Sequence, residues 1–311
     1  MLSSTGAVSD GVVRVPVGRT GRRHGDAWAA TLMLAPNVFA YLLFIVVPAL
    51  SGVAISLYSW DLFSPPEWVG LHNYDTLIHD PVVLQSLWRT LLFVALGVVP
   101  TVLGGFLIAT LLDWQARAVG AIRLLFFLPL VVSTAVAGVL WSTMFSPTYG
   151  MVNRILGLVG ISGPTWLAST SWALPAVTLV IIWLSCPLVV ILYLAGLQRV
   201  PAQVYEAARM DGAGVWLRVW AISWPLVRST TILVVILEVL QFLAAPFEVS
   251  LIMTYGGPLD STTTLSFYAY RQAFELGKMG YASAISMVQF TVLLAVIATV
   301  WLVVRRWRRP S

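Results

Sequence analysis

The chain has 311 residues, of which 59% are hydrophobic and only 10% charged, with a mean hydropathy of +0.88. An ordinary soluble domain is about 45–50% apolar and about 25% charged, so this composition excludes a soluble enzyme, a disordered chain and a nucleic-acid-binding protein, despite the formal net charge of +5. It indicates an all-α integral membrane protein whose surface faces lipid or other buried helices.

Residues 1–27 carry Arg14, Arg19, Arg22 and Arg23 but no apolar core before Ala27. They read as a cytoplasmic N-terminal tail, not as a cleaved signal peptide. Six apolar runs follow, over 28–58, 86–112, 122–145, 172–197, 230–253 and 281–304. About 20 apolar residues are needed to cross the hydrocarbon as a helix. The runs are continuous, without the apolar/polar alternation of barrel strands, and they define a six-span domain over 28–304. Pro36 and Pro48 interrupt the first run, which predicts a true span nearer 31–51, kept as a signal anchor. Residues 305–311 form a basic C-terminus.

The Lys/Arg distribution sets the orientation. Fourteen of the 18 lie on one side: four in the N-terminal tail, Arg117 and Arg123, then Arg199, Arg209, Arg218 and Arg228, then Arg305, Arg306, Arg308 and Arg309. Arg89, Arg154, Arg271 and Lys278 lie on the other. Both termini are therefore predicted to be cytoplasmic. The basic pI of about 9.6 is a topology signal that needs no nucleic acid or other anionic partner. The single cysteine, Cys186, reads as a packing residue. Trp60, Trp68, Trp88, Trp114, Trp172, Trp216, Trp220, Trp224 and Trp301 fall near predicted span ends, where amphipathic rings favour the interface.

The loop 198–228 is far longer than a connector requires. Pro201 can start a helix, 204–210 is helix-forming, Gly212 and Gly214 interrupt it, 215–222 can make a second short helix, and Pro225 leads into the fifth span. Its blandest role is an amphipathic interfacial element; its sharper role is a docking surface for a cytoplasmic partner. Glu206 is expected in the first turn, favoured by the helix dipole and able to pair with Arg209. Ala207 and Ala208 are expected to permit close approach, and Gly212 a positive φ.

Glu206-Ala207-Ala208, three residues, Gly212 preceded by Asp211, nine residues, Ile222, one residue, then Trp224-Pro225 resembles the EAA loop of ABC importer permeases. Trp224 stands where that pattern usually has Leu. Other segments resemble the carbohydrate-uptake permeases of the maltose and glycerol-3-phosphate type. These are Trp68-Val69-Gly70-Leu71-His72-Asn73-Tyr74 followed by Asp80-Pro81, then Arg89-Thr90-Leu91, Phe126-Phe127-Leu128-Pro129 and Leu194-Ala195-Gly196-Leu197-Gln198. Gly256-Gly257-Pro258 with Ser261-Thr262, and Gly280-Tyr281-Ala282-Ser283-Ala284, complete the set. The resemblance implies a multi-pass permease of the cytoplasmic membrane of a prokaryote, with the ABC importer permease fold and no catalysis of its own. It implies as partners a second permease, two ATPase subunits holding ATP and Mg, and an extracytoplasmic substrate-binding protein. Glu206, Ala207, Ala208, Asp211, Gly212, Ile222 and Pro225 would then couple to the ATPase. The chain has no GxxxxGK[ST] loop of its own.

The fifth run holds Glu238, Gln241 and Glu248, all costly in hydrocarbon. At about 100° per residue, 241 and 248 lie about 60° and 80° from 238, on one side of the helix. This stripe either makes helix–helix hydrogen bonds or lines a solute path, joined by Trp183 and Gln289. Amide and carboxylate groups beside aromatic rings suit a sugar, and the acids favour a neutral or amino sugar over a phosphate ester. Glycerol-3-phosphate or a related phosphodiester stands as the alternative solute. A membrane enzyme lacks a constellation at depth, since His24, His72 and His79 lie outside the runs. A self-sufficient secondary transporter fits the absent repeat and the long loop less well.

Overall fold

The computed structural model describes residues 24–114 and 126–307. The N-terminal arginines, Arg117, Arg123, Arg308 and Arg309, on which most of the orientation count rests, lie outside the described residues. The chain divides into two units, residues 1–51 and 52–311.

The first unit contains α1 (His24–Tyr41), a π-helical segment (Leu42–Val46) and the start of α2 (Val47–Ile55). Neither proline ends the helix: Pro36 lies inside α1, and the candidate span runs Thr31–Ile55, longer than predicted. Proline clashes with the carbonyl four residues back. For Pro48 that residue is Phe44, inside the wider π turn, which relieves the clash.

The second unit begins with a two-residue hairpin, Tyr58–Ser59 (β1) against Glu67–Trp68 (β2), antiparallel. Helices α3 (His72–His79), α4 (Pro81–Trp114), α5 (Thr134–Met144), α6 (Met151–Leu158), α7 (Ala173–Leu197), α8 (Ala202–Met210), α9 (Val215–Leu217), α10 (Trp224–Leu226), α11 (Arg228–Met253), α12 (Leu265–Tyr270) and α13 (Met279–Trp307) follow. Among the described residues, five helices are long and apolar enough to cross a membrane: Thr31–Ile55, Pro81–Asp113, Ala173–Leu197, Arg228–Met253 and Met279–Leu302. The third expected span departs from its prediction. Its described part is the helical pair Phe126–Phe127, a 3-10 turn (Leu128–Val131) containing Pro129, an extended Val132, and the 11-residue α5. Ser133 caps α5 by accepting from Val136 N at 3.3 Å. Proline and a capping serine this close together favour a fresh helix start over continuation.

The core lies between α4, α7 and α11. Phe93, Phe106, Tyr193 and Phe242 are fully enclosed in it. Close approach is set by glycine. A Cβ on Gly97 would run into the Phe242 ring, and one on Gly105 into Val189, which is how helices pack where lipid is as apolar as leucine. Three threonine hydroxyls in these helices donate to the preceding turn: Thr90 to Ser86 O (2.7 Å), Thr101 to Gly97 O and Thr178 to Leu174 O (both 2.8 Å).

Candidate functional site

The 198–228 element is built on a helix stop. Pro201 precedes α8 with extended ψ, and α8 closes with two bonds, Gly212 N to Arg209 O at 3.1 Å and Ala213 N to Ala208 O at 2.9 Å. This is the Schellman pattern, which needs a left-handed residue between. Gly212 supplies it at φ +76°. A Cβ there would meet open space, so glycine is required for conformation alone.

Helical geometry then separates the two alanines that the sequence groups together. Ala208 faces inward and is buried. The hydroxyls of Tyr205, half-buried on that side, and buried Ser223 lie 3.0 Å apart. Ala207 and Glu206 face outward. Glu206 is the fifth residue of α8 and not in its first turn, and among the described residues it forms no ion pair with Arg209. Around it lies an uncovered apolar rim: Met210, 89% exposed, with Val215, Trp216 and Leu217. Asp211 and Pro225 are exposed and Ile222 half-buried. The second expected helix, 215–222, is α9 passing into a π segment (Arg218–Ser223). Pro225 opposes the carbonyl of Ala221, again within the π turn. The rings of Trp220 and Trp224 are tilted at 55° with centres 5.7 Å apart, and Phe106 of α4 meets Trp224 edge-on at 4.9 Å.

The polar stripe of α11 divides. Glu238 is 2% exposed and turned toward α7, with Oε2 unpartnered, while the Ser185 hydroxyl of α7 donates to Ile182 O at 3.4 Å. Gln241 and Glu248 are exposed. Trp183 stands edge-on to Trp141 at 5.8 Å and lines a separate 390 Å³ cavity beside Cys186. Gln289 Nε2 donates to Leu243 O at 3.2 Å and to Ser266 Oγ at 2.7 Å, tying α13 to α11 and α12. It lines an 820 Å³ cleft with Phe247, Tyr270, Phe274 and Phe290. Those aromatics were not singled out from sequence, although the i, i+4 pair Tyr270/Phe274 was a visible signal. Thus Gln289 shares a cleft with aromatic faces, while Trp183 and Glu238 belong to the α5–α7–α11 packing. Arg89, read as external, lies in the third turn of α4 and donates to Gln85 Oε1 at 3.2 Å.

The opposite end gathers motifs that are remote in sequence. Asn73 Nδ2 donates to Ser56 O (2.8 Å) and Tyr58 O (2.9 Å), and a Cβ on Gly280 would strike Tyr58 O. Asp80 Oδ2 accepts from both Tyr268 and Tyr281 hydroxyls at 2.7 Å. Arg271 pairs with Asp260 at 2.8 Å, and Tyr255 donates to Glu275 at 2.6 Å, bracing the Gly256–Pro258 turn. Burial raises the Asp80 pKa, but the two tyrosine hydroxyls and the backbone N–H groups of Val82 and Val83 outweigh it and hold the carboxyl below its usual range. A carboxyl depressed on folding stabilises above its unfolded value of about 3.9 and loses that contribution as pH falls through the lower folded value. Asp80→Ala is therefore expected to lower stability by about 1–3 kcal/mol, as two buried hydroxyls lose a charged acceptor. Wild type should lose the same increment on acidification below about pH 4. Thermal unfolding in detergent at both pH values checks this; equal melting of wild type and variant at neutral pH would refute it.

Residues 101–309 match the family described as binding-protein-dependent transport system inner membrane component. The sulfoquinovosyl glycerol transport system permease protein SmoG of Agrobacterium fabrum is 33% identical over 90% of this chain and 92% of its own length. The trehalose/maltose transport system permease protein MalF of Thermococcus litoralis is 32% identical over 92% and 97%. The sn-glycerol-3-phosphate transport system permease protein UgpA of Salmonella typhimurium is 31% identical over 88% and 92%. A solved bacterial ABC transporter involved in import of the acidic polysaccharide alginate shares the fold at a TM-score of 0.76 and 23% identity, over 92% of this chain and 98% of that one.

Proposed function

This chain belongs to the family of binding-protein-dependent transport system inner membrane components, and on that premise we propose which solute it carries and by which residues. It is a multi-pass permease subunit of a carbohydrate-type ABC importer, without catalytic groups or cofactors of its own; ATP is hydrolysed on separate subunits. The proposed assembly is this permease beside a second one, six spans with both termini cytoplasmic, two ATPases below, and a substrate-binding protein outside. The observation that carries the coupling role is the Schellman turn at Gly212. It presents Glu206, Ala207 and Met210 outward on a rigid stop, which suits insertion into a partner's cleft.

The proposed solute is a neutral or amino sugar. The relatives' names span a neutral disaccharide and two anionic solutes, so the family alone leaves the class open. The reading is supported by the exposed Gln241 and Glu248 on α11 and by the neighbouring cleft, where Gln289 meets four aromatic rings. Amide and carboxylate groups bind sugar hydroxyls, and rings bind its apolar face. The exposed Glu248 carboxylate disfavours a phosphate ester.

Gln241→Ala is expected to raise the KM for uptake about fivefold to tenfold, the loss of one net hydrogen bond to solute, with membrane level unchanged. Radiolabelled uptake in membrane vesicles measures it, and an unmoved KM would remove Gln241 from the path. The full reading is tested by reconstituting the chain with the neighbouring permease, ATPases and binding protein. Maltose, glucosamine and glycerol-3-phosphate are then compared for binding-protein-dependent ATPase stimulation. Stimulation by glycerol-3-phosphate alone would reverse the solute class.

A further inference from the structure

At the end of α7 remote from the 198–228 element, the starts of α4 and α7 and the 255–264 loop enclose a 440 Å³ pocket. Helix α4 contributes Arg89, Leu92 and Leu96, which share one face at spacings of three and four residues. Thr170 and Ser171, just before α7, and Ser261 of the loop add hydroxyls. Arg89 is only partly used. Its Nη2 donates to Gln85 Oε1 at 3.2 Å, but its Nη1 is buried and has no partner. A charged donor removed from water without an acceptor is costly. The described lining holds no acid. Asp260, between the lining residues Leu259 and Ser261, is taken by Arg271 at 2.8 Å and by Thr263 at 3.1 Å. Trp172 makes no side-chain cap to α7, and Leu174, the second residue of that helix, also lines the pocket. The positive end of a 25-residue helix therefore opens onto the same space as the unpartnered guanidinium nitrogen.

We propose that this pocket binds a phosphate group, with Arg89 Nη1, the Thr170 and Ser171 hydroxyls and the start of α7 as its donors. Phosphate suits the set because it combines negative charge with several acceptor oxygens. A neutral ligand would leave the guanidinium charge uncompensated. Leu92 and Leu96 continue about 10 Å along α4 from the cation, so an aliphatic floor lies beyond the polar mouth. That profile fits the headgroup and first methylenes of a phospholipid. A soluble phosphate ester offers the same oxygens without the chains. None of the residues assigned to the solute path lines this pocket.

For the test, the full chain is purified with its co-expressed partner subunits and stripped of lipid. One arm adds phosphatidylglycerol, or a diacylglycerol with the same chains, and counts retained lipid by native mass spectrometry. The other arm titrates glycerol-3-phosphate by calorimetry. Preferred retention of phosphatidylglycerol assigns the phosphate to a lipid, and binding in the second arm alone assigns it to a soluble ester. In whichever arm binds, Arg89→Gln should weaken binding about tenfold, the loss of one charge-assisted hydrogen bond. Ser171→Asp should do the same at unchanged membrane abundance, because a carboxylate there favours the helix start yet fills the site with negative charge. That variant keeps the test valid if the Arg89→Gln chain assembles poorly. Arg154→Gln removes an exposed cation of α6 outside the pocket and should leave binding unchanged. No binding in either arm, unchanged binding in both pocket variants, or an equal loss in Arg154→Gln would overturn the proposal. Both arms are read without transport, so a failed solute assignment leaves this result intact.

Discussion

A Gly212→Val chain is expected to insert at wild-type level yet to lose most solute uptake, with ATPase activity no longer raised by loaded binding protein. The reason is conformational. Gly212 sits at φ +76° with open space around its Cβ position, so an added Cβ meets no clash and the cost of a side chain lies in the left-handed backbone. That costs an L-residue about 1–2 kcal/mol, which is about a five- to thirty-fold loss in the population of the turn. The turn fixes where Glu206 and Met210 point, so the loss falls on coupling rather than on folding. Asparagine tolerates the left-handed region better, so Gly212→Asn should retain much of the uptake. Gly212→Asp, which suggests itself from sequence, combines that tolerance with a new charge and is the less discriminating variant. Measuring uptake, stimulated ATPase and membrane abundance for the valine and asparagine variants tests the assignment. Equal impairment by both would show that the turn's conformation is not what couples.

The second large effect is expected at Gly97. A Gly97→Leu chain should fail to accumulate in the membrane or should melt well below wild type. A Cβ there runs into the fully enclosed Phe242 ring at the α4–α11 crossing, and overpacking a close-packed site costs about 1–3 kcal/mol or more. Gly104 lies two turns along the same helix with nothing within 4 Å of its Cβ position. Gly104→Leu adds the same volume to the same helix and should be tolerated. Fluorescence-detected size exclusion of both variants after heating provides the measurement. Comparable melting of the two would mean that α4 and α11 separate more easily than their packing implies.

What sequence alone revealed depended on the range over which each signal acts. The fourth, fifth and sixth spans were legible to within a few residues, because hydrophobic length is a property of contiguous residues. The first was shortened in prediction because Pro36 and Pro48 read as breaks, whereas a π turn ahead of Pro48 absorbs its clash. The spacing of the 206–225 element was legible, including the positive φ at Gly212. The opposite orientations of Ala207 and Ala208 follow from helix phase, but which side faces inward is set by Tyr205 meeting Ser223 eighteen residues away. The residues expected to form one stripe on α11 divide into a buried Glu238 and exposed Gln241 and Glu248, and that division depends on where α7 packs. Asp80 drew notice only within a loop motif. Its partners lie 188 and 201 residues along the chain, and no local pattern announces them.

Glu238 has a consequence for how the protein is made. A carboxylate near the middle of a span is costly to place in lipid, by about 2.5–3.5 kcal/mol or more, and α11 carries it on the side that meets α7. The helix bearing Ser185 emerges from the ribosome some fifty residues earlier, so at ordinary synthesis rates of about 5–20 residues per second it precedes α11 by seconds. The chain thus presents the recipient before the charge. Insertion of α11 is cheapest as a docking event onto a helix already in the bilayer, and the order of segments along the polypeptide is also an order of assembly.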